Sequence, residues 1–135
     1  DLIHLTPETV SFAVRYAGPH RIVLITDAIA AAGLSDGEYE LGGLRVLVAS
    51  GKATLPDGTL AGSTLTLDRA VRNIISLGIK PTIAISMATA IPANSLGLRG
   101  VGCLRPGCVA DMVALDDRYR VIHSFINGEM VYSAT

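Results

Sequence analysis

The chain has no tryptophan, and its 135 residues include only 4 tyrosines, 2 phenylalanines and 2 cysteines. With so few rings, any core has to be built from aliphatic side chains. No apolar run reaches the roughly 20 residues needed to span a bilayer, so no membrane partner is expected. Charged residues are sparse at 17%, against roughly 25% in an ordinary soluble domain. Neither sign dominates: 11 Lys and Arg oppose 12 Asp and Glu, for a net charge of −1. Without a basic stripe, nucleic acid is not expected as a partner. The front, which opens on Asp1, carries no secretory signal pattern. Cys103 and Cys108 flank Leu-Arg-Pro-Gly. Reduced structural thiols are expected there, because disulfides need an oxidising compartment; a disulfide across the turn is the alternative. No second Cys/His pair stands at metal-ligand spacing.

What is abundant is aliphatic side chain, since half of all residues are hydrophobic. The length fits one domain. A single domain of this size exposes much of its surface. Part of the apolar excess is therefore expected to be covered by protein outside this sequence, with homo-oligomers among the ways to cover it.

The run Ile22-Val-Leu-Ile-Thr-Asp-Ala28 is the most informative segment. Apolar, mostly β-branched residues leading into Thr26 and Asp27 predict a strand buried on both faces, as in a parallel sheet. The C-terminal ends of such strands carry the chemistry of α/β barrels and doubly wound sheets. Asp27 then stands at the mouth of an active site, or it caps a short helix over 28–32. Both readings follow from the same strand-end geometry.

Ahead of it, Asp1–His4 reads as the end of a strand. Thr6-Pro7-Glu8 opens a helix as N-cap, first-turn proline and dipole-compensating acid. Gly18-Pro19 closes that helix. Gly33 to Gly62 is glycine-rich, with short alternating runs at 39–41, 44–48 and 53–55. These predict antiparallel strands that return through Leu60-Ala61-Gly62-Ser63 to a helix over 66–77, with Arg69 and Arg72 facing outward. A further helix is expected over 81–89, with Pro92 and Gly97 breaking the chain after it. Three tail strands are expected at 107–115, 119–126 and 129–132, with Asn127-Gly128 as a type I′ hairpin turn.

These motifs occur in a recognisable order. Asp1-x-x-His4 comes first, then Ile25-Thr-Asp27-Ala28 and the block from Asp57-Gly through Leu60-Ala-Gly-Ser63 to Arg72-Asn73. Ala88-Thr-x-x-Pro-Ala93, Gly97-Leu98, Pro106-Gly-x-x-Ala-Asp111 and Asn127-Gly128 follow. Over essentially its whole length the chain resembles the C-terminal third of the N-acetylglucosamine-6-phosphate deacetylase family of metal-dependent amidohydrolases. The block from Leu60 to Asn73 is its specific part.

The resemblance implies an α/β fold, the C-terminal part of a (β/α)8 barrel with the last strands of an accessory β-sandwich. Residues 1–100 would be the barrel part, with a hairpin excursion at about 38–56, and residues 101–135 the sandwich strands. It implies a deacetylase that hydrolyses N-acetylglucosamine 6-phosphate to glucosamine 6-phosphate and acetate, cytoplasmic, with an amino sugar phosphate as small-molecule partner. Asp27 matches the catalytic aspartate, which exchanges protons with a metal-bound water and the leaving amine. His4 matches the histidine that hydrogen-bonds substrate and polarises the acetyl carbonyl; without the resemblance it reads as a histidine satisfied at a strand end. Leu60, Ala61 and Gly62 match the loop that lines the sugar pocket through backbone groups, or else form an ordinary turn capped by Ser63 or Thr64. Leu2 stands where the family usually has glycine. His20 and His123 are expected in structural or solvent roles.

The resemblance also implies a divalent metal of zinc or iron type, held by a glutamate and two histidines upstream of Asp1, in a missing N-terminal part of the same protein. Asp27 alone does not hold a catalytic ion, so the isolated chain is expected to be inactive. Two alternatives remain: a non-catalytic oligomerising module on the same scaffold, and an amidohydrolase acting on a different amide.

Overall fold

Thr6 starts the first helix as expected: its hydroxyl accepts from the Thr9 backbone N–H at 3.3 Å, and Pro7 occupies the first turn. In the computed structural model, which describes residues 1–134, this helix α1 spans Pro7–Ala17. Gly18, at φ 83°, ends it by donating its N–H to the Val14 carbonyl at 3.0 Å. A 3-10 turn, Pro19–Arg21, leads into the segment read as a doubly buried strand.

That segment is extended but joins no ladder, a correction to the predicted strand. Ile22 and Leu24 turn inward while Val23 and Ile25 stay exposed, so one face is buried, not two. Its ties are a Leu24 N–H bond to the Met87 carbonyl at 2.9 Å and a parallel bridge between Ala28 and Ser63. The short helix expected over 28–32 is likewise a series of turns.

The first sheet is antiparallel, in the order β1 (Gly37–Leu41), β2 (Leu44–Ala49), β3 (Lys52–Thr54), β4 (Leu60–Ser63). Gly42-Gly43 makes the first hairpin, with Leu41 opposite Leu44. Alternation turns Val46, Val48 and Ala53 inward onto Ala31 as one small core. Leu60–Ser63, expected as a return loop, is a fourth strand pairing with β3 through a bulge.

Helix α2 (Leu67–Ser76) buries Ala70, Val71 and Ile74, three and four residues apart. Val71 and Ile74 pack with Val14, Ala84 and Met87 as the second core. Arg72 does not face outward as predicted. It is half-buried and bonds the Asp68 carboxylate at 2.5 Å and the Tyr119 carbonyl at 3.0 Å, tying α2 to the tail. The predicted helix 81–89 is α3 (Pro81–Ser86), followed by a turn and α4 (Ala90–Ser95). Pro92 does not break the chain. It sits in the first turn of α4, where its missing N–H has no intrahelical partner to lose.

The tail forms a three-stranded antiparallel sheet, β5 (Met112–Leu115), β6 (Val121–Ile126) and β7 (Glu129–Ser133). Asn127 and Gly128 have φ of 51° and 82°, as the predicted I′ turn requires. His20 is exposed; His123 is half-buried in β6, its Nδ1 without a hydrogen-bond partner among the described residues. Cys103 and Cys108 form a disulfide, not the reduced pair expected. The turn through Pro106 and Gly107 brings their Cα atoms to 6.2 Å, within bridging range. Thr135, last residue of the expected second unit, lies outside the described residues. No helix among the described residues is long and apolar enough to cross a membrane.

The architecture is thus α/β with two small antiparallel sheets. The Ala28–Ser63 bridge is the parallel contact among the described residues.

Candidate functional site

Asp27 lies where the extended segment meets the first sheet. Its carbonyl accepts from the Ser63 N–H at 3.3 Å, and the Ser63 carbonyl accepts from the Ile29 N–H at 2.8 Å. These two bonds hold Asp27 against the Ser63 end of β4, next to Gly62, while the other expected site residues, Leu60 and Ala61, lie further back along the same strand. Asp27 has φ 50°, the left-handed region that few non-glycine residues enter. Its side chain is exposed and makes no hydrogen bond among the described residues, so the capping reading is not realised.

Gly62 explains why this junction closes. At φ 104° it holds a backbone conformation that side chains disfavour. A Cβ there would stand 2.6 Å from Ile29 Cγ2. Behind it, Ser63 is buried, and its hydroxyl accepts from the Leu65 N–H at 2.9 Å as the chain turns toward α2.

Among the described residues His4 makes no hydrogen bond or ion pair with Asp27. Its Nδ1 lies 2.6 Å from Asp1 Oδ2, and Asp1 Oδ1 accepts from the N–H groups of Ile3 and His4. Asp1 is 14% exposed and His4 39%. A carboxylate on Nδ1 fixes the ring and leaves Nε2 as the nitrogen open to a ligand. Asp1 is absent from the sequence-derived candidates, although the Asp-x-x-His spacing carries the signal. Leu2, between them, has φ 64°. Two non-glycine left-handed residues, Leu2 and Asp27, therefore fall in the segments expected to carry chemistry, which is where such strain collects.

A cavity of about 190 Å³ runs beside the extended segment, lined by Asp1, Leu2, Leu24, Ile25 and Asn73 among others, and not by Asp27. The buried Nδ2 of Asn73 has no hydrogen-bond partner among the described residues.

A metal centre needs several converging donors. Among the described residues no three of His, Cys, Asp and Glu converge in this way. Asp27 stands alone, Asp1 and His4 are a pair, and the cysteines are consumed by the disulfide. The described residues do not by themselves fit a complete metal site.

Comparison with known proteins adds chemistry to this geometry. Residues 1–131 match the profile of the Amidohydrolase family, whose members are generally dependent on divalent metal. The chain is 46% identical over 129 residues to a putative N-acetylgalactosamine-6-phosphate deacetylase of Escherichia coli K12, covering 94% of this chain and 77% of that protein. It is 39% identical over 133 residues to an N-acetylglucosamine-6-phosphate deacetylase of Vibrio furnissii, covering 97% of this chain and 33% of that protein. The crystal structure of N-acetylglucosamine-6-phosphate deacetylase from Thermotoga maritima superposes with a TM-score of 0.92 at 38% identity, over 99% of this chain and 37% of that one. Against the last two, the chain spans about a third of the relative's length.

Proposed function

The chain belongs to the amidohydrolase family, and from that premise we propose that it is the C-terminal part of a deacetylase that hydrolyses N-acetylglucosamine 6-phosphate to glucosamine 6-phosphate and acetate. The observation that carries the reading is Asp27: an exposed carboxylate in a left-handed backbone, tied by Ser63 to the end of β4. Exposure with no side-chain partner suits a group that must give and take protons with a ligand.

In this reading the Asp27 carboxylate accepts a proton from the attacking water as oxygen bonds to the acetyl carbon. It then donates that proton to the amide nitrogen as the C–N bond breaks, so that free amine and acetate leave. His4, oriented by Asp1, offers Nε2 to the acetyl oxygen, where negative charge develops. The backbone of Leu60, Ala61 and Gly62 lines the sugar, with Gly62 allowing close approach. The donors of a zinc- or iron-type ion, a glutamate and two histidines, come from polypeptide outside these residues.

The rest of the architecture follows the same reading. Residues 1–100 are the end of a (β/α)8 barrel interrupted by the first sheet, and residues 101–135 are strands of an accessory sandwich. The exposed Ile25 (69%), Phe12 (66%) and Tyr16 (82%) are then surfaces covered by the remaining polypeptide or by a second copy. The same reading places the work in the cytoplasm, as the resemblance implies. The 46% identity to the Escherichia coli protein favours a second substrate reading, N-acetylgalactosamine 6-phosphate, with the same residues in the same roles.

The test is acetate release from both sugar phosphates with divalent metal supplied. The isolated chain should release none. Joined to polypeptide carrying the glutamate and paired histidines it should turn over, and Asp27→Asn should then lower kcat by about 10²–10⁴-fold. Turnover by the isolated chain, or an Asp27→Asn enzyme of full activity, overturns the proposal. The ratio of kcat/KM for the two sugars selects the substrate.

A further inference from the structure

The chain's only two cysteines are bonded to each other at the junction between the helices and the tail sheet. Both are half-buried, while Leu104, Arg105, Pro106 and Gly107 between them are exposed, Leu104 to 78%. An incoming thiolate has to reach a sulfur, and an open loop of this kind permits the approach.

Two features separate this bond from a structural staple. First, it closes a loop of only six residues. The stabilisation from a cross-link grows with the logarithm of loop length, so this one contributes about 2 kcal/mol, below the roughly 3 kcal/mol of a 15-residue loop. Second, the chain on either side is held independently. The Val109 N–H donates to the Gly100 carbonyl at 2.7 Å, and the Gly128 N–H donates to the Ala110 carbonyl at 2.9 Å. Gly102 packs so tightly on α4 that a Cβ would stand 2.8 Å from the Thr89 carbonyl oxygen. None of these anchors runs through the sulfurs, so the span between them is what the bond restrains. That span is also a wall: Gly102, Cys103 and Leu104 border an apolar cleft of about 760 Å³ between α2, α3 and the tail sheet.

We propose that Cys103–Cys108 is a reversible thiol–disulfide site that sets the freedom of loop 103–108 at the wall of this cleft. The co-reactant is a dithiol of the thioredoxin or dithiothreitol class. Its thiolate attacks one sulfur, a mixed disulfide forms, and the second thiol of the reagent resolves it. The protein bond takes up two electrons and two protons, and the reagent leaves as its own disulfide. The inference does not depend on the deacetylase reading.

The experiment uses the native chain and needs no substrate. Protein isolated in air with thiols blocked should carry the bond. Dithiothreitol without denaturant should add two hydrogens to the intact mass and open both cysteines to iodoacetamide. Amide exchange over residues 103–108 should rise about tenfold or more while α2 is unchanged, and oxidised glutathione should restore the slow exchange. The Cys103→Ser/Cys108→Ser double variant should show the fast loop permanently and ignore the redox buffer. If that variant does not fold, the wild-type titration decides alone. The proposal is overturned if the bond yields only in denaturant, if loop exchange does not change on reduction, or if α2 loosens together with the loop.

Discussion

Gly62→Ala tests the junction that positions Asp27. The substitution acts in two ways. At φ 104° an alanine pays a backbone cost of about 1–2 kcal/mol in a left-handed conformation. Its Cβ also stands 2.6 Å from Ile29 Cγ2, and relieving such overpacking costs about 1–3 kcal/mol. The lower entropy of the unfolded alanine chain offsets about 0.4–1 kcal/mol. The net expectation is a loss of about 1.5–4 kcal/mol, read as a lower urea midpoint at unchanged slope. Ile29→Ala in the same background removes the collision and leaves the dihedral cost. The double-mutant cycle should therefore show about 1–3 kcal/mol of favourable coupling between positions 62 and 29. Because Asp27 is bonded through Ser63, amide exchange at Ser63 and Ile29 should rise with the single substitution and fall back with the double. A Gly62→Ala protein as stable as the parent, or a cycle with no coupling, would refute the argument that close approach at Gly62 builds the site.

Two further predictions concern the helix-to-tail tie and the metal. Burial pushes the Asp68 carboxyl up, but the Thr66 hydroxyl and the Arg72 guanidinium outweigh it and hold the group below the ordinary carboxylate range. A carboxylate lowered in the fold contributes stability that is fully present above its unfolded pKa of about 3.9 and is lost as pH falls through the lower folded value. Acid titration of stability should therefore steepen below about pH 4, and Arg72→Met should flatten that part of the curve; an unchanged acid limb would contradict it. For the metal, zinc titrated into the isolated chain should leave its unfolding midpoint unmoved, since no three donors converge among the described residues. Saturable stabilisation by zinc would show donors that the structure does not bring together.

Local signals were legible wherever a few neighbouring residues suffice. Thr6-Pro7-Glu8 started a helix and Asn127-Gly128 turned a hairpin. The misreadings share one cause. Ile22–Ile25 has the composition of a doubly buried strand, but burial and pairing depend on neighbours, and here one face stays open. Arg72 looked like surface charge because its partner carbonyl, Tyr119, is 47 positions away. Leu60–Ser63 looked like a loop because glycine and a bulge obscured its pairing with β3.

The candidate site divides along the same line. Sequence alone determined which residue types are candidates for chemistry and in what order: an Asp-x-x-His pair, an aspartate ending an aliphatic run, and a small-residue segment opening a helix. Family membership rests on that order, because a motif is a one-dimensional property. Only the tertiary structure decided that Ser63 reaches back to Asp27, that Asp1 orients His4, and that Cys103 finds Cys108. Those outcomes depend on distances set by every intervening turn, and hydrogen bonds and sulfur–sulfur bonds form only when the turns deliver their atoms to within a few ångströms.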